Sequence, residues 1–308
     1  MVNNMNKLRT YLNGDRFFQT VVTVLMVIFL LIELYPLIYV VSASLSDADA
    51  VKAGELVLLP IGFTFKGYGY VFQNRDIWIG YGNTILYTVL GTLVNLAVTL
   101  PCAYALSCKE IVGKGKLMVY FMITMYVGGG LIPGYLNVKS FGLLNTRTFM
   151  IIGGALSVYN MIVARTFYEN SIPYEIKEAA RIDGCNDFGI FTKIVMPLSK
   201  ALLAVMVLYY GIGHWNSYFN AMIYLDDRSK YPLQLFLREI LLQSNFVAAA
   251  IESGTATPEQ IAYLEEIARG AELVKYCIIV VAALPMMVLY PKLQKFFEKG
   301  VMIGGVKG

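Results

Sequence analysis

The sequence predicts an all-α, polytopic membrane protein with six transmembrane helices. Of its 308 residues, 57% are hydrophobic and only 15% are charged, and the mean hydropathy is +0.59. A water-soluble domain has too little interior to bury that much apolar surface. Windows that reach the roughly 20 apolar residues needed to cross a bilayer lie near residues 17–43, 81–107, 117–137, 149–168, 199–225 and 272–292.

The distribution of charge predicts that both chain ends lie in the cytoplasm. With the two ends and the loops 108–116 and 168–198 placed inside, these regions and the adjacent helix ends carry 15 Lys and Arg against 8 Asp and Glu. The outer loops carry 10 against 12. Because cytoplasmic loops are enriched in Lys and Arg, we expect a cytoplasmic tail (1–16), a six-helix transmembrane domain (17–298) and a second cytoplasmic tail (299–308).

The first span contains Glu33, a carboxylate well inside an apolar run. Ionisable groups within a membrane commonly mark substrate or ion pathways. A protonated or paired glutamate that faces a neighbouring helix is the alternative, and the sequence does not choose between the two. We therefore treat Glu33 as a candidate residue of a substrate pathway.

The next two spans contain unusual residues for an apolar helix. Asn83, Asn95 and Thr99 in the second span predict close helix packing with hydrogen bonds between helices. In the third span, the run from Gly128 to Pro133 predicts a break, which a membrane tolerates where protein or a water-filled cavity receives the freed backbone groups. The break either is a packing kink or lines a pathway.

Residues 171–197 form a long polar segment between two apolar runs, and their sequence predicts two short helices. Ser171 is expected to cap the first helix, with Pro173 in its opening turn. Gly184 is expected to end that helix, because glycine adopts the left-handed conformation at little cost. Asn186 or Asp187 then begins the second helix, which Pro197 closes.

The spacing within this segment is specific. Glu178-Ala179-Ala180 is followed after three residues by Gly184, after nine more by Ile194, and then by Met196-Pro197. This pattern resembles the EAA loop of ATP-binding-cassette importer permeases, with Met196 in place of the usual leucine, a volume-conserving exchange. The resemblance implies a coupling loop that contacts an ATPase through Glu178, Ala179, Ala180, Arg181, Asp183, Gly184, Ile194 and Pro197.

The fifth span holds the polar and aromatic run from Gly211 to Ala221. Amides that bind hydroxyls beside aromatic rings that stack on sugar C–H surfaces are typical of carbohydrate recognition. An interfacial aromatic belt with helix-packing amides is the alternative. The candidate residues of a substrate pathway are therefore His214, Trp215, Asn216, Tyr218 and Asn220, together with Glu33.

The outer loop 226–271 is long enough to fold. A short amphipathic helix is expected from Tyr231 to Leu241, and Thr257, Pro258 and Gln260 form a capping box at the start of a further helix. Such a loop suits either docking of an extracytoplasmic partner or a passive cap.

Several kinds of chemistry find no support in the sequence. It has no phosphate-binding G-x-x-x-x-G-K-[ST] loop, no Ser-His-Asp set and no H-E-x-x-H motif. Its single histidine and four cysteines show no metal-ligand spacing. We therefore expect a membrane transport subunit with no ATPase site of its own, no bound metal and no nucleic-acid partner; a secondary transporter of sugars or ions is the alternative.

Taken over nearly the whole chain, the spans, the EAA-like loop, the run GHWNSYFN and the ending GGVKG resemble permease subunits of carbohydrate importers. The resemblance is to the maltose-type second permease, and especially to the polysaccharide and lipoprotein permeases of Gram-positive bacteria. It implies the type I importer permease fold in the bacterial plasma membrane and import of oligosaccharides. The implied partners are a second permease, an ATPase dimer that holds ATP and Mg²⁺, and an extracytoplasmic sugar-binding lipoprotein.

Overall fold

The computed structural model describes residues 2–252, 270–271, 274–292 and 294–295, and within them every regular element is helical. The capping box at Thr257 and the C-terminal tail 299–308 lie outside the described residues. These residues belong to two compact units, which comprise Met1–Gln73 with Ile240–Val281 and Asn74–Glu239 with Ala282–Gly308.

The first unit contains the helices α1 (Val2–Ser44), α2 (Ala48–Lys52) and α3 (Lys66–Gln73). The chain that follows α1 is irregular but held by hydrogen bonds. Ser42 Oγ donates to Leu58 O at 2.5 Å, Asp47 N–H donates to Ile61 O at 2.9 Å, and Thr64 N–H donates to Leu45 O at 2.9 Å. These bonds satisfy backbone groups that no helix satisfies.

The second unit contains α4 (Arg75–Ser107), against which the helices Arg147–Ile152, Val158–Ser171 and Lys200–Trp215 pack. Of the polar residues of α4, Thr99 makes a hydrogen bond to another helix as predicted from the sequence, whereas Asn83 bonds to carbonyls that lie outside the α-helices. Asn83 Nδ2 donates to Ser229 O and Tyr231 O at 2.8 and 3.0 Å, and the hydroxyls of Thr99 and Tyr210 lie 2.7 Å apart. The remaining α-helices of this unit are α5 (Lys114–Tyr126), α6 (Leu131–Ser140), α7 (Arg147–Ile152), α8 (Val158–Ser171), α9 (Tyr174–Ile182), α10 (Asp187–Ile190), α11 (Met196–Leu198), α12 (Lys200–Trp215) and α13 (Phe219–Tyr224). The helix α14 (Leu233–Glu252) begins in the second unit and belongs to the first from Ile240 onwards.

By length and composition, three of the described helices suffice to cross a membrane: Asp15–Ser44, Arg75–Ser107 and Val274–Lys292, which is α15. Two bent pairs would raise that number to five if each is one span. The first pair is α5 and α6, which meet at 113° across the predicted glycine break. The second is Asp187–Leu198 and Lys200–Trp215, which meet at 84°.

Two predicted spans are interrupted, and there the prediction of one continuous helix is wrong. In 149–168, α7 and α8 are separated at Gly153 and Gly154, where Gly154 has φ +75°. Asn95 Nδ2 donates to Gly154 O and Ala155 O, each at 2.9 Å, and so satisfies carbonyls that lie outside the helices. A tertiary hydrogen bond therefore stabilises this break.

In 199–225, α12 ends at Trp215 and α13 begins at Phe219. The last turn tightens, since Ser217 N–H donates to His214 O at 3.2 Å. Asn and Ser favour such ends because their side chains compete for backbone hydrogen bonds. The polar run GHWNSYFN is thus divided between a helix end, a turn and a second helix.

Candidate functional site

The segment 171–197 forms two helices as predicted: α9, and a second one that begins as α10 and continues through a π-helical turn (Phe191–Val195) into α11. The two are separated at Gly184 with φ +80°. Gly184 N–H donates to Arg181 O at 3.0 Å, and Cys185 N–H donates to Ala180 O at 2.9 Å, which satisfies the last carbonyls of α9. Asn186 Oδ1 caps α10 by accepting from Gly189 N–H at 2.8 Å. The prediction that Ser171 caps the first helix is wrong, because Ser171 ends α8 and Pro173 precedes α9.

The helix α9 has one buried and one exposed face. Ala180 is 6% exposed and packs into the main core of the second unit. The exposed residues include apolar ones, since Ile182 is 86% exposed and Phe188, in α10, is 74% exposed. Of the residues in the EAA-like pattern, Glu178, Ala179, Asp183, Gly184 and Pro197 are exposed, and Arg181 and Ile194 are half-buried.

A carboxylate from a different loop accepts hydrogen bonds from two residues of α9. Glu110 Oε1 accepts from Arg181 Nη1 at 2.6 Å and from the Tyr174 hydroxyl at 2.7 Å. Arg181 Nη2 also donates to Asp187 Oδ1 at 3.1 Å. The bonds from Arg181 and Tyr174 lower the pKa of Glu110 to about 2, and the two carboxylates raise the pKa of Arg181.

Two lysines complete the contact between α9 and the end of α4. Lys177 is only 6% exposed, and its ammonium lies 5.2 Å from the centroid of the Tyr104 ring. Lys109 lies 4.5 Å from the centroid of the Tyr174 ring. Both are cation–π distances. Sequence reasoning missed Glu110 and these lysines; the only indication was that Glu110 is the one acidic residue in the 108–116 loop.

The second candidate site is a cavity of about 230 Å³ between α4, α8 and α12. At its wall the His214 Nε2 lies 2.7 Å from Asn95 Oδ1. The amide of Asn95 is thereby fixed on both sides, since its nitrogen donates to the two carbonyls of the α7–α8 break. The other polar lining residues are Ser157, Asn160, Tyr209, Tyr210, Ser217 and Asn220.

The structure separates the predicted pathway residues. His214 and Asn220 line this cavity. Trp215 is buried elsewhere and donates from Nε1 to Ala282 O at 3.1 Å. Asn216 and Tyr218 are exposed, and the Arg238 guanidinium lies 4.8 Å from the Tyr218 ring centroid.

Glu33 lies on α1 in the other unit, where it is exposed. Sequence reasoning missed Ser157 and Asn160 at the cavity; their spacing of three residues at the start of an apolar helix was the available indication. Among the described residues, no three His, Cys, Asp or Glu side chains cluster in a way that suits a metal ion.

Comparison with known proteins gives consistent matches. The family described as "Binding-protein-dependent transport system inner membrane component" matches residues 77–301. The polygalacturonan/rhamnogalacturonan transport system permease protein YtcP of Bacillus subtilis is 36% identical over 297 residues, covering 96% of this chain and 99% of YtcP. Protein LplC of the same organism is 36% identical over 279 residues, or 90% of each chain.

A solved structure also matches. It is a chain of the crystal structure of a bacterial ABC transporter involved in the import of the acidic polysaccharide alginate. The sequences are 38% identical and the TM-score is 0.79, over 92% of this chain and 98% of the other.

Proposed function

Because the chain belongs to the family of binding-protein-dependent transport system inner membrane components, we propose that it is the six-span permease subunit of an ATP-driven saccharide importer. Residues 17–298 form the transmembrane domain in the plasma membrane, with both tails in the cytoplasm. The partners are a second permease, a cytoplasmic ATPase dimer that holds ATP and Mg²⁺, and an extracytoplasmic sugar-binding protein.

The substrate class follows from the relatives and from the cavity. YtcP is named for polygalacturonan and rhamnogalacturonan, and the similar solved structure is an alginate importer, so acidic oligosaccharides are the proposed cargo. The cavity beside His214 has amides, hydroxyls and aromatic rings in its wall. Such groups bind sugar hydroxyls and the apolar faces of sugar rings.

The mechanism is mechanical coupling through the EAA-like segment. The exposed face of α9, with Glu178, Ala179 and Ile182, enters a groove on the ATPase. Closure of the ATPase pair moves α9, and the motion passes through Gly184 and α10 to the 84° bend before α12. Because α12 carries His214 at the wall of the cavity, its movement changes access to the sugar.

The observation that carries this proposal is the exposed apolar and acidic surface of α9 within an EAA-spaced segment. The test is purification of the tagged chain from its host in mild detergent. The wild type should bring down an ATPase and a second permease. Glu178→Lys should lose the ATPase alone, whereas Glu55→Lys, an equal charge change at an exposed site in the outer loop, should keep both. Recovery of a lone chain in every case would contradict the importer assignment.

The cavity is tested with a matched pair of asparagines. Asn220 lines the cavity and Asn216 does not, although both are exposed and lie four residues apart. Asn220→Ala should raise the KM for import of trigalacturonate about tenfold, the cost of one or two lost hydrogen bonds, and Asn216→Ala should leave it unchanged. Equal effects of the two changes would remove the cavity from the pathway. Import of maltotriose, an uncharged trisaccharide, is measured in parallel to test whether the imported sugars are acidic.

A further inference from the structure

Glu110 lies outside the EAA-like segment, yet its carboxylate contacts both ends of the first helix of that segment. Tyr174 is the first residue of α9 and Arg181 is the last but one. Both donate to the same oxygen, Glu110 Oε1, at 2.7 and 2.6 Å. Two anchors seven residues apart on a helix, about 10 Å along its axis, fix the direction of the helix as well as its position.

The covalent connection from α9 does not fix this direction. It passes through Gly184, where no atom of the described residues lies within 4 Å of the position of a Cβ atom, so packing does not restrain the chain at that residue. Glycine also allows the widest range of backbone angles. The direction of α9 therefore depends on tertiary contacts, and Glu110 joins it to the residues that directly follow α4.

The helix α4 leads to the cavity. Tyr104, whose ring lies beneath the Lys177 ammonium, and Asn95 are nine positions apart on the same continuous helix. Asn95 holds His214 and the α7–α8 break. A movement of α9 that passes through Glu110 and α4 thus reaches the cavity wall by a second path, which does not run through Gly184.

We propose that Glu110 is a positioning residue that transmits motion of the ATPase-contacting helix α9 to α4. The inference rests on the proposed importer function. In this proposal, the hydrogen bonds to Glu110 make α9 and α4 move together as one rigid body. Arg181 also donates to Asp187, which connects α10 to the same body.

The exposure of the ion pair between Glu110 and Arg181 indicates that the pair orients α9 and contributes little to the free energy of unfolding. The side chains of Arg181 and Glu110 are 34% and 40% exposed. Ion pairs this open to solvent contribute little to the free energy of unfolding. Removal of Glu110 should therefore leave the protein folded and the ATPase bound, while changing how the two helices move together.

The experiment uses the complete importer in proteoliposomes and measures both ATP hydrolysis and trigalacturonate import. The wild type must hydrolyse ATP in response to sugar and import it; failure here would contradict the proposed function and not the role of Glu110. In Glu110→Ala, the ATP hydrolysed per sugar imported should rise about tenfold, a typical coupling magnitude. The yield of the complex and its thermal midpoint should stay at the wild-type values.

Glu169→Ala is the matched control. Glu169 also pairs with an arginine, Arg165, at 2.9 Å, and its side chain is 32% exposed, but that pair lies on α8 and its second ion pair, at 3.9 Å, joins α8 to Lys114 of α5, so neither pair involves α9. This change should leave the ratio of ATP to sugar unchanged. An equal rise in both variants, or a lower yield of Glu110→Ala with an unchanged ratio, would overturn the proposal.

Two further variants separate positioning from a general loss of charge. Glu110→Gln keeps the acceptor oxygen but loses the charge that strengthens the bonds, so its ratio should lie between wild type and Glu110→Ala. Combining Glu110→Ala with Arg181→Ala should have a smaller effect than the sum of the two single changes, because both remove the contact between Glu110 and Arg181 and only the bond from Tyr174 is lost in addition. Additive effects would show that the two residues act separately, which contradicts the proposal.

Discussion

At the scale of single residues, the cavity wall depends on a close approach between α4 and α12. A Cβ atom at Gly91 would collide with the imidazole of His214. The glycine thus lets the His214 ring reach Asn95 Oδ1 at 2.7 Å. Small residues of this kind allow close packing of membrane helices, so Gly91 determines the wall of the cavity although it is not one of its polar groups.

We expect Gly91→Ala to destabilise the protein by about 1–3 kcal/mol, the usual cost of overpacking, and to reduce sugar import by displacing His214. The measurements are the thermal midpoint in detergent and import in proteoliposomes. Gly82→Ala is the control, because in the part of the chain that the structure describes the same methyl group at that position of α4 meets nothing within 4 Å. Equal losses in the two variants would contradict the contact.

The Glu110 carboxylate gives a prediction for pH. Because its pKa falls from 4.5 to about 2 in the folded protein, its stabilising bonds are fully present above pH 4.5 and are lost as the pH falls towards 2. The ratio of ATP hydrolysed to sugar imported should therefore not change through titration of Glu110 between pH 5 and 8. The check is to vary the pH on the ATPase side of proteoliposomes and compare wild type with Glu110→Gln. A ratio that changes in the wild type alone would contradict the prediction.

At the scale of elements, the break between α9 and α10 was predictable from the local sequence, and the break between α7 and α8 was not. A glycine followed by Asn and Asp is a local signal, and Gly184 and Asn186 take the predicted roles. Ser171 was assigned wrongly because α8 extends to it, leaving Pro173 before α9. The gap between α7 and α8 depends on Asn95, 59 residues away from Gly154, which no local pattern reveals.

Substitutions at Gly184 should follow the conformation of the turn. Asn tolerates a positive φ, so Gly184→Asn should import sugar at nearly the wild-type rate; Gly184→Ala should cost about 1 kcal/mol. Proline cannot adopt φ +80° and loses the N–H that bonds to Arg181 O. Gly184→Pro should therefore uncouple ATP hydrolysis from import, measured on the reconstituted importer. Normal import by this variant would refute the coupling role.

At the scale of the whole molecule, the charge asymmetry predicts the membrane orientation. It places Val112, which is 96% exposed in the loop after α4, in the cytoplasm, and Leu59, which is 78% exposed after α2, outside. In a background without the four native cysteines, Leu59→Cys should react with a membrane-impermeant maleimide on intact cells. Val112→Cys should react only after permeabilisation. Labelling in the opposite order would reverse the topology.

The sequence alone predicts the class of the molecule, its family resemblance and the two-helix form of the EAA-like segment. These features depend on composition, on apolar run length and on residues close together in the chain, such as Gly184 and Asn186. It also identified His214 and Asn220 as candidates, but could not separate them from Trp215 and Asn216, because one turn of chain decides which side chains face the cavity.

Which distant groups meet is visible only in the folded chain. Glu110 reaches Arg181 across 71 positions of the chain, and Asn95 reaches His214 across 119. Such pairs leave no periodic pattern in the sequence, because the residues around each partner give no sign of the other. The contacts form because helix packing brings α4 against α9 and α12. The burial of apolar surface drives this packing and is non-directional, so it does not select which polar residues come together.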